Sequence, residues 1–118
     1  MLIVGSMILV CRIKKYKSYA VLEAMNSKLP FQLGAIIFKG GKILSRGYNQ
    51  GKYHAEHSAL KQLKPHQSDG ADIIVVRINT TGVSMAKPCN NCQNRLRKHG
   101  IKRAFYTNSI GEIEVLRL

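Results

Sequence analysis

His54-Ala55-Glu56 and, after a gap of 31 residues, Pro88-Cys89-Asn90-Asn91-Cys92 are the two segments of this chain that decide its fold. Three of their side chains suit zinc: the His54 imidazole and the Cys89 and Cys92 thiolates, with a fourth tetrahedral position left open for water. Cysteines three apart share one face of a helix, so both grip one ion if a helix begins near Pro88. Proline favours a first helical turn, where its missing N–H has no intrahelical partner. His54 and Glu56 are two apart and diverge in mid-helix, but at a first turn both reach a point on the helix axis. The spacing therefore predicts a metal where two helix N-termini converge, their partial positive charge stabilising thiolates and lowering cysteine pKa. Zinc, two thiolates and a neutral imidazole sum to zero charge, and water on such an ion has a pKa of about 7. Glu56 is then placed to take that water's proton. A C-x-x-C alone also fits a redox pair or half of a structural zinc site. His57 or His66 as a fourth ligand would close the site. His57 reads instead as a helix-surface or subunit-contact residue, and His66 as a loop residue after Pro65.

Outward from these segments the chain alternates in type. Ile13, Tyr16, Ala20, Val21, Ala24 and Met25 recur at helical spacing with lysines between them, which predicts an amphipathic helix over about 13–27. Leu33 to Phe38 and Ile43 to Tyr48 flank Gly40-Gly41 as a hairpin. The motif helix follows from His54 to about Leu63, with Ala55, Ala59, Leu60 and Leu63 as its buried stripe, and Pro65 to Gly70 is a loop. Ala71 to Ile78 is apolar on both faces, the signature of a buried central strand. Thr80 to Lys87 is a long connection to a helix over about 89–99, which Gly100 ends. Ile101 to Thr107 and Ile113 to Leu118 are strands joined by a turn too short for anything but antiparallel pairing. The expectation is an α/β domain spanning 1–118: three layers, α-β-α, on a five-stranded mixed sheet whose last two strands are antiparallel. Both motif halves then fall where strand gives way to helix, the usual place for a site in an open α/β sheet.

At 118 residues and 45% hydrophobic, the chain is long enough for a core and too apolar for disorder. With two of 3 cysteines assigned to metal, Cys11 is left alone. That excludes a disulfide framework, suits a reducing cytoplasmic compartment, and makes Cys11 a small buried or half-buried residue. The apolar stretch Met1 to Val10 is far too short to span a bilayer and reads as a piece packed on the domain or an upstream extension; no membrane role is expected. The net charge of +13 implies affinity for phosphates or polyanions, but the basic residues are dispersed except around Arg95 to Arg103.

The chain resembles the cytidine deaminase-like superfamily from the hairpin at Leu33 to the last strand. Its H-x-E followed by P-C-x-x-C is the zinc-deaminase pattern. Histidine as first ligand, and Gly47-Tyr48-Asn49 ahead of it, are similar to the deoxycytidylate and tRNA-adenosine deaminase branches. The resemblance implies one zinc per chain on His54, Cys89 and Cys92, and Glu56 as the proton shuttle. It also implies a substrate contact from Asn49, a contact from the Ala55 backbone N–H to the pyrimidine carbonyl, and a homo-oligomer. Those branches usually carry further helix near the fourth and fifth strands; here that pocket wall is missing or comes from another subunit. The expected substrate is cytosine in a free nucleotide or nucleoside, with Lys52 or Arg46 near a phosphate. A second reading, motivated by the charge, is cytosine or adenine in single-stranded DNA or RNA, although no tryptophan and only 5 Tyr and 3 Phe offer little for stacking bases. A third is a non-catalytic zinc-stabilised binding module.

Overall fold

The computed structural model describes the backbone of residues 2–118 and the side-chain environments of residues 8–118. Helix α1 (Leu2–Ala24) is followed by the hairpin β1 (Gln32–Lys39) and β2 (Lys42–Tyr48), then α2 (Ala55–Leu60), β3 (Asp72–Asn79), β4 (Gly82–Ser84), α3 (Asn90–Lys98), β5 (Arg103–Thr107) and β6 (Ile113–Arg117). The strands form one mixed sheet in the order β2-β1-β3-β5-β6, with β4 added on β3. Only β3 and β5 run parallel; β5 and β6 are antiparallel, as their short connection requires.

Strand alternation sorts the core into two layers. Ile36, Phe38, Ile74, Val76 and Phe105 face α1, where Ile13, Tyr16 and Ala20 meet them. Their sequence neighbours Ala35, Ile37, Ile73, Val75 and Ala104 face the other way, against Ala55, Ala59 and Leu60 of α2 and Leu96 of α3. Ile73 to Val76 are all fully buried, since a strand covered by helices on both sides has no solvent face. The expected three layers are therefore present.

Four expectations are corrected. The sheet has six strands, because residues within Thr80–Lys87 form β4 instead of a plain connection. Asn79 and Gly82 turn the chain there: Asn79 Oδ1 accepts from the Thr81 N–H at 2.9 Å, and Gly82 takes φ +126°. Helix α2 stops at Leu60, three residues early, because Pro65 bars any continuation and Leu63 bonds back to Leu60 in a tight turn. Helix α1 begins at Leu2 and ends at Ala24, not at 13 and 27. Of the stretch Met1 to Val10, Met1 and the side chains of 1–7 lie outside the described residues, while Leu9 packs under the sheet and Ile8 and Val10 are exposed. Cys11 is exposed, not buried. It lies about 200° round the helix from Ile13, which takes the sheet-facing position. Among the described residues no helix is long and apolar enough to cross a membrane.

Two glycines set how closely the layers approach. A Cβ on Gly34 would stand 2.0 Å from the Ala20 carbonyl oxygen, so α1 rests directly on β1. A Cβ on Gly47 would stand 2.5 Å from the Ala59 nitrogen, so β2 lets α2, and with it His54 and Glu56, settle onto the sheet.

Candidate active site

His54 and Cys89 each occupy the residue just before a helix, with extended backbones (φ −70°, ψ 159° and φ −68°, ψ 168°). The two helix starts converge as the spacing predicts. One donor atom from each of His54, Cys89 and Cys92 lies within 4.8 Å of the others, and His54 Nδ1 is 3.2 Å from Cys92 Sγ. Tetrahedral zinc with bonds of about 2.1 Å to nitrogen and 2.3 Å to sulfur holds such a pair about 3.6 Å apart, so these donors fit one ion. Neither His57 nor His66 joins the group. His57 Nε2 accepts from Arg95 Nη1 at 3.1 Å, and His66 pairs with Asp69 at 3.0 Å on the surface. The closed, four-ligand alternatives therefore lack their fourth ligand.

Glu56 is 3% exposed, and its Oε1 has no hydrogen-bond partner. Burial pushes its carboxyl above the usual 4.5, outweighing its own backbone N–H and the nearby His54. Cys92 runs against expectation. Its thiol is pushed up, first by burial and then by the Glu56 carboxylate, whereas helix N-termini were expected to lower it. Cys92 lies in the first turn of α3, whose dipole does not offset its removal from water. A bound metal ion would supply positive charge that favours the Cys92 thiolate.

Beside the donors lies a cavity of about 410 Å³ whose wall includes Asn49, Ala55, Glu56, Arg77, Met85 and Lys87. Its size is that of a small-ligand pocket. Asn49 is committed within the protein: Oδ1 accepts from the Leu33 N–H at 2.8 Å, and Nδ2 donates to the Phe31 carbonyl. One N–H and one lone pair of its amide remain. Ala55 opens α2, where a backbone N–H has no intrahelical partner. Met85, Ala86 and Lys87 after β4 and Leu29 and Phe31 before β1 also line the cavity.

The two cations expected near a phosphate do not line this cavity. Arg46 reaches over the Tyr19 ring of α1, 5.1 Å from its centroid, on the opposite face of the sheet. Lys52 lines a neighbouring recess with His54, His57, Asn91, Cys92 and Arg95, so it lies beside the metal donors but outside the cavity. Arg77 and Lys87 take the cavity instead. Arg77 was hidden in a run that reads as central strand, yet it is in phase with Ile73 and Val75, which face α2. That parity is the signal sequence reasoning had available.

A three-layer α/β sheet with a histidine and two cysteines gathered at two helix starts defines the class: a zinc-binding domain with one ion per chain. The chain belongs to the cytidine and deoxycytidylate deaminases, the zinc-binding region of which matches residues 11–108. It is thus a zinc-binding deaminase domain. No curated protein matches it significantly in sequence. Among solved structures, it is similar to the dCMP deaminase of cyanophage S-TIM5 (TM-score 0.66, 24% identity over 80% of this chain and 81% of that one). It is also similar to cytidine deaminases from Burkholderia pseudomallei (0.65, 20%, covering 86% and 88%) and Mycobacterium leprae (0.58, 23%, covering 84% and 88%). These likenesses concern the fold.

Proposed function

We propose that the chain deaminates cytosine in a free nucleotide or nucleoside, water adding at the amine-bearing ring carbon and ammonia leaving. The observation that carries this reading is Glu56 Oε1, buried without a partner on the wall of a cavity that His54 and Cys89 also line. A buried carboxyl oxygen with nothing to bond is a standing cost for a structural zinc module and a requirement for a proton carrier. His54, Cys89 and Cys92 would hold a zinc ion, which would supply Lewis acidity and bring the pKa of a water towards about 7.

Glu56 takes one proton from the attacking water and delivers it to the ring nitrogen as the carbon–oxygen bond forms. It then carries the second to the amine as the carbon–nitrogen bond breaks, giving uracil and ammonia. The Ala55 backbone N–H faces the pyrimidine carbonyl, and the remaining amide valences of Asn49 serve the base or sugar. Support for a monomeric substrate comes from the cavity's volume and from the similar cyanophage enzyme, solved with dCMP and dUMP. Phe31, 60% exposed at the cavity, and the net charge of +13 favour single-stranded nucleic acid as the second reading.

One screen tests both. The protein is incubated with dCMP, CMP, deoxycytidine, cytidine and cytosine-containing oligonucleotides, and products are weighed by mass spectrometry. Uracil product from a monomer is expected; product from oligonucleotides alone moves the assignment to the second reading, and none from any substrate sinks both. Glu56→Gln should keep one zinc per chain while turnover falls about 100- to 10,000-fold, the range for losing a general acid–base. Loss of the metal in that variant would overturn the role given to Glu56.

A further inference from the structure

Among the described residues, two buried side-chain atoms lack a hydrogen-bond partner, Glu56 Oε1 and Arg77 Nε, and both residues line the same cavity. The first is accounted for by the chemistry above. The second is not. Arg77 stands near the end of β3, opposite Leu33 of β1 and Ser84 of β4, with its guanidinium carbon 4.4 Å from the centre of the Phe31 ring. Stacking satisfies the face of a guanidinium and leaves its N–H edge unbonded. The ion pairs among the described residues join His66 to Asp69 and Arg103 to Asp72, so no carboxylate neutralises Arg77. Arg77 is half-buried; its Nε–H is the part withdrawn from water without an acceptor, which is costly, and an anionic ligand removes that cost.

We infer that Arg77, seated over the Phe31 ring, is the specificity residue that receives the 5′-phosphate of the substrate, making the enzyme selective for a cytosine nucleoside monophosphate over the nucleoside. This rests on the reading of the cavity as the site of a deaminase of free nucleotides. The two orphaned atoms match the two ends of such a molecule: an amine-bearing ring for the acid, an anion for the base. A guanidinium edge fits phosphate through two parallel N–H···O bonds, which a lysine cannot reproduce. Lys87 adds a second positive charge on the same wall. Asn49 has a part here also, because its amide holds the Phe31 carbonyl and so fixes the ring on which Arg77 lies.

The test compares zinc-loaded full-length wild type with Arg77→Gln, Arg77→Lys and Phe31→Leu on CMP, dCMP and their nucleosides. In Arg77→Gln the ratio of kcat/KM for monophosphate over nucleoside should fall about 10- to 100-fold, as expected for losing charge-assisted hydrogen bonds, and chiefly through KM. Lysine should restore part of the ratio, and Phe31→Leu should lower it less than Arg77→Gln does. An unchanged ratio, or equal losses on both substrates, overturns the proposal. A second measurement does not need turnover: UMP should raise the thermal midpoint of wild type more than that of Arg77→Gln, while uridine raises both alike. If monomers are not turned over but the UMP difference persists, the function assigned to the cavity fails and Arg77 stands. If cytosine monomers are deaminated and the UMP shifts are equal, Arg77 fails and the function stands. Turnover confined to oligonucleotides and slowed by Arg77→Gln overturns the monophosphate assignment.

Discussion

His57 sits beside the metal donors without joining them, and its contacts give it a titration of its own. Burial, then the charges of Arg95 and Lys61, hold its pKa below the ordinary 6.5. The Arg95 bond to Nε2 needs the neutral ring. Between its folded pKa and 6.5 the unfolded chain binds more protons than the folded one, so stability must drop as pH falls through that window. His57→Gln should remove this part of the slope. Urea titrations of both proteins at pH 7 and in steps below 6.5 measure it; a wild type-to-variant difference that does not change with pH would rule the coupling out. His57 also shows what spacing can and cannot say. Its position three residues after His54 made it a possible ligand, and only the direction of its ring, edge-on to Tyr53 at 4.9 Å, removes it. Asn49 shows the reverse, since a residue read as a substrate contact spends half of its amide on Leu33 and Phe31.

The elements were legible where one pattern ruled each segment. The Gly40-Gly41 hairpin, the apolar run of β3 and the forced antiparallel return of β6 follow from local rules. β4 was not legible as a strand: three residues bonded only to β3 carry too short a pattern, and the Asn79-to-Gly82 turn was their one sign. Nor did the sequence show why Gly34 and Gly47 are glycines, because a close approach between layers leaves no periodic trace. Gly34→Ala drives a methyl into the backbone of Ala20 and Ala24 and should cost about 2 kcal/mol or more, as overpacked cores do. Chemical denaturation should show a lower midpoint with an unchanged slope. A midpoint equal to wild type would mean α1 does not rest on β1 as closely as described.

For the molecule as a whole, the metal couples two helix starts that contact the sheet separately. Cys92 must lose a proton to bind, and burial together with Glu56 holds that proton on until zinc arrives. Zinc loading should therefore release protons and raise the thermal midpoint. Both effects are read by calorimetry in buffers of different ionisation enthalpy and by melting with and without chelator. The zinc-dependent rise in midpoint should shrink as pH is lowered, because protons then compete for the thiol. A rise independent of pH between 8 and 6 would show that Cys92 is not held protonated in the metal-free protein.

The sequence by itself determined the donor set, the layer order and the antiparallel returns of β2 and β6. These depend on residue type and on spacing along one chain, and helices and short turns convert spacing into direction. Only the tertiary structure decided which basic residue enters the cavity. Arg46, Lys52, Arg77 and Lys87 are equivalent as charges in a sequence, and what separates them is which side of the sheet each faces and what packs on it. Arg46 leans on Tyr19 beneath the sheet, while Arg77 lies on Phe31 within reach of the same cavity as Glu56. That difference arises from contacts between residues far apart in the chain, 46 apart for Arg77 and Phe31, and no local pattern encodes it.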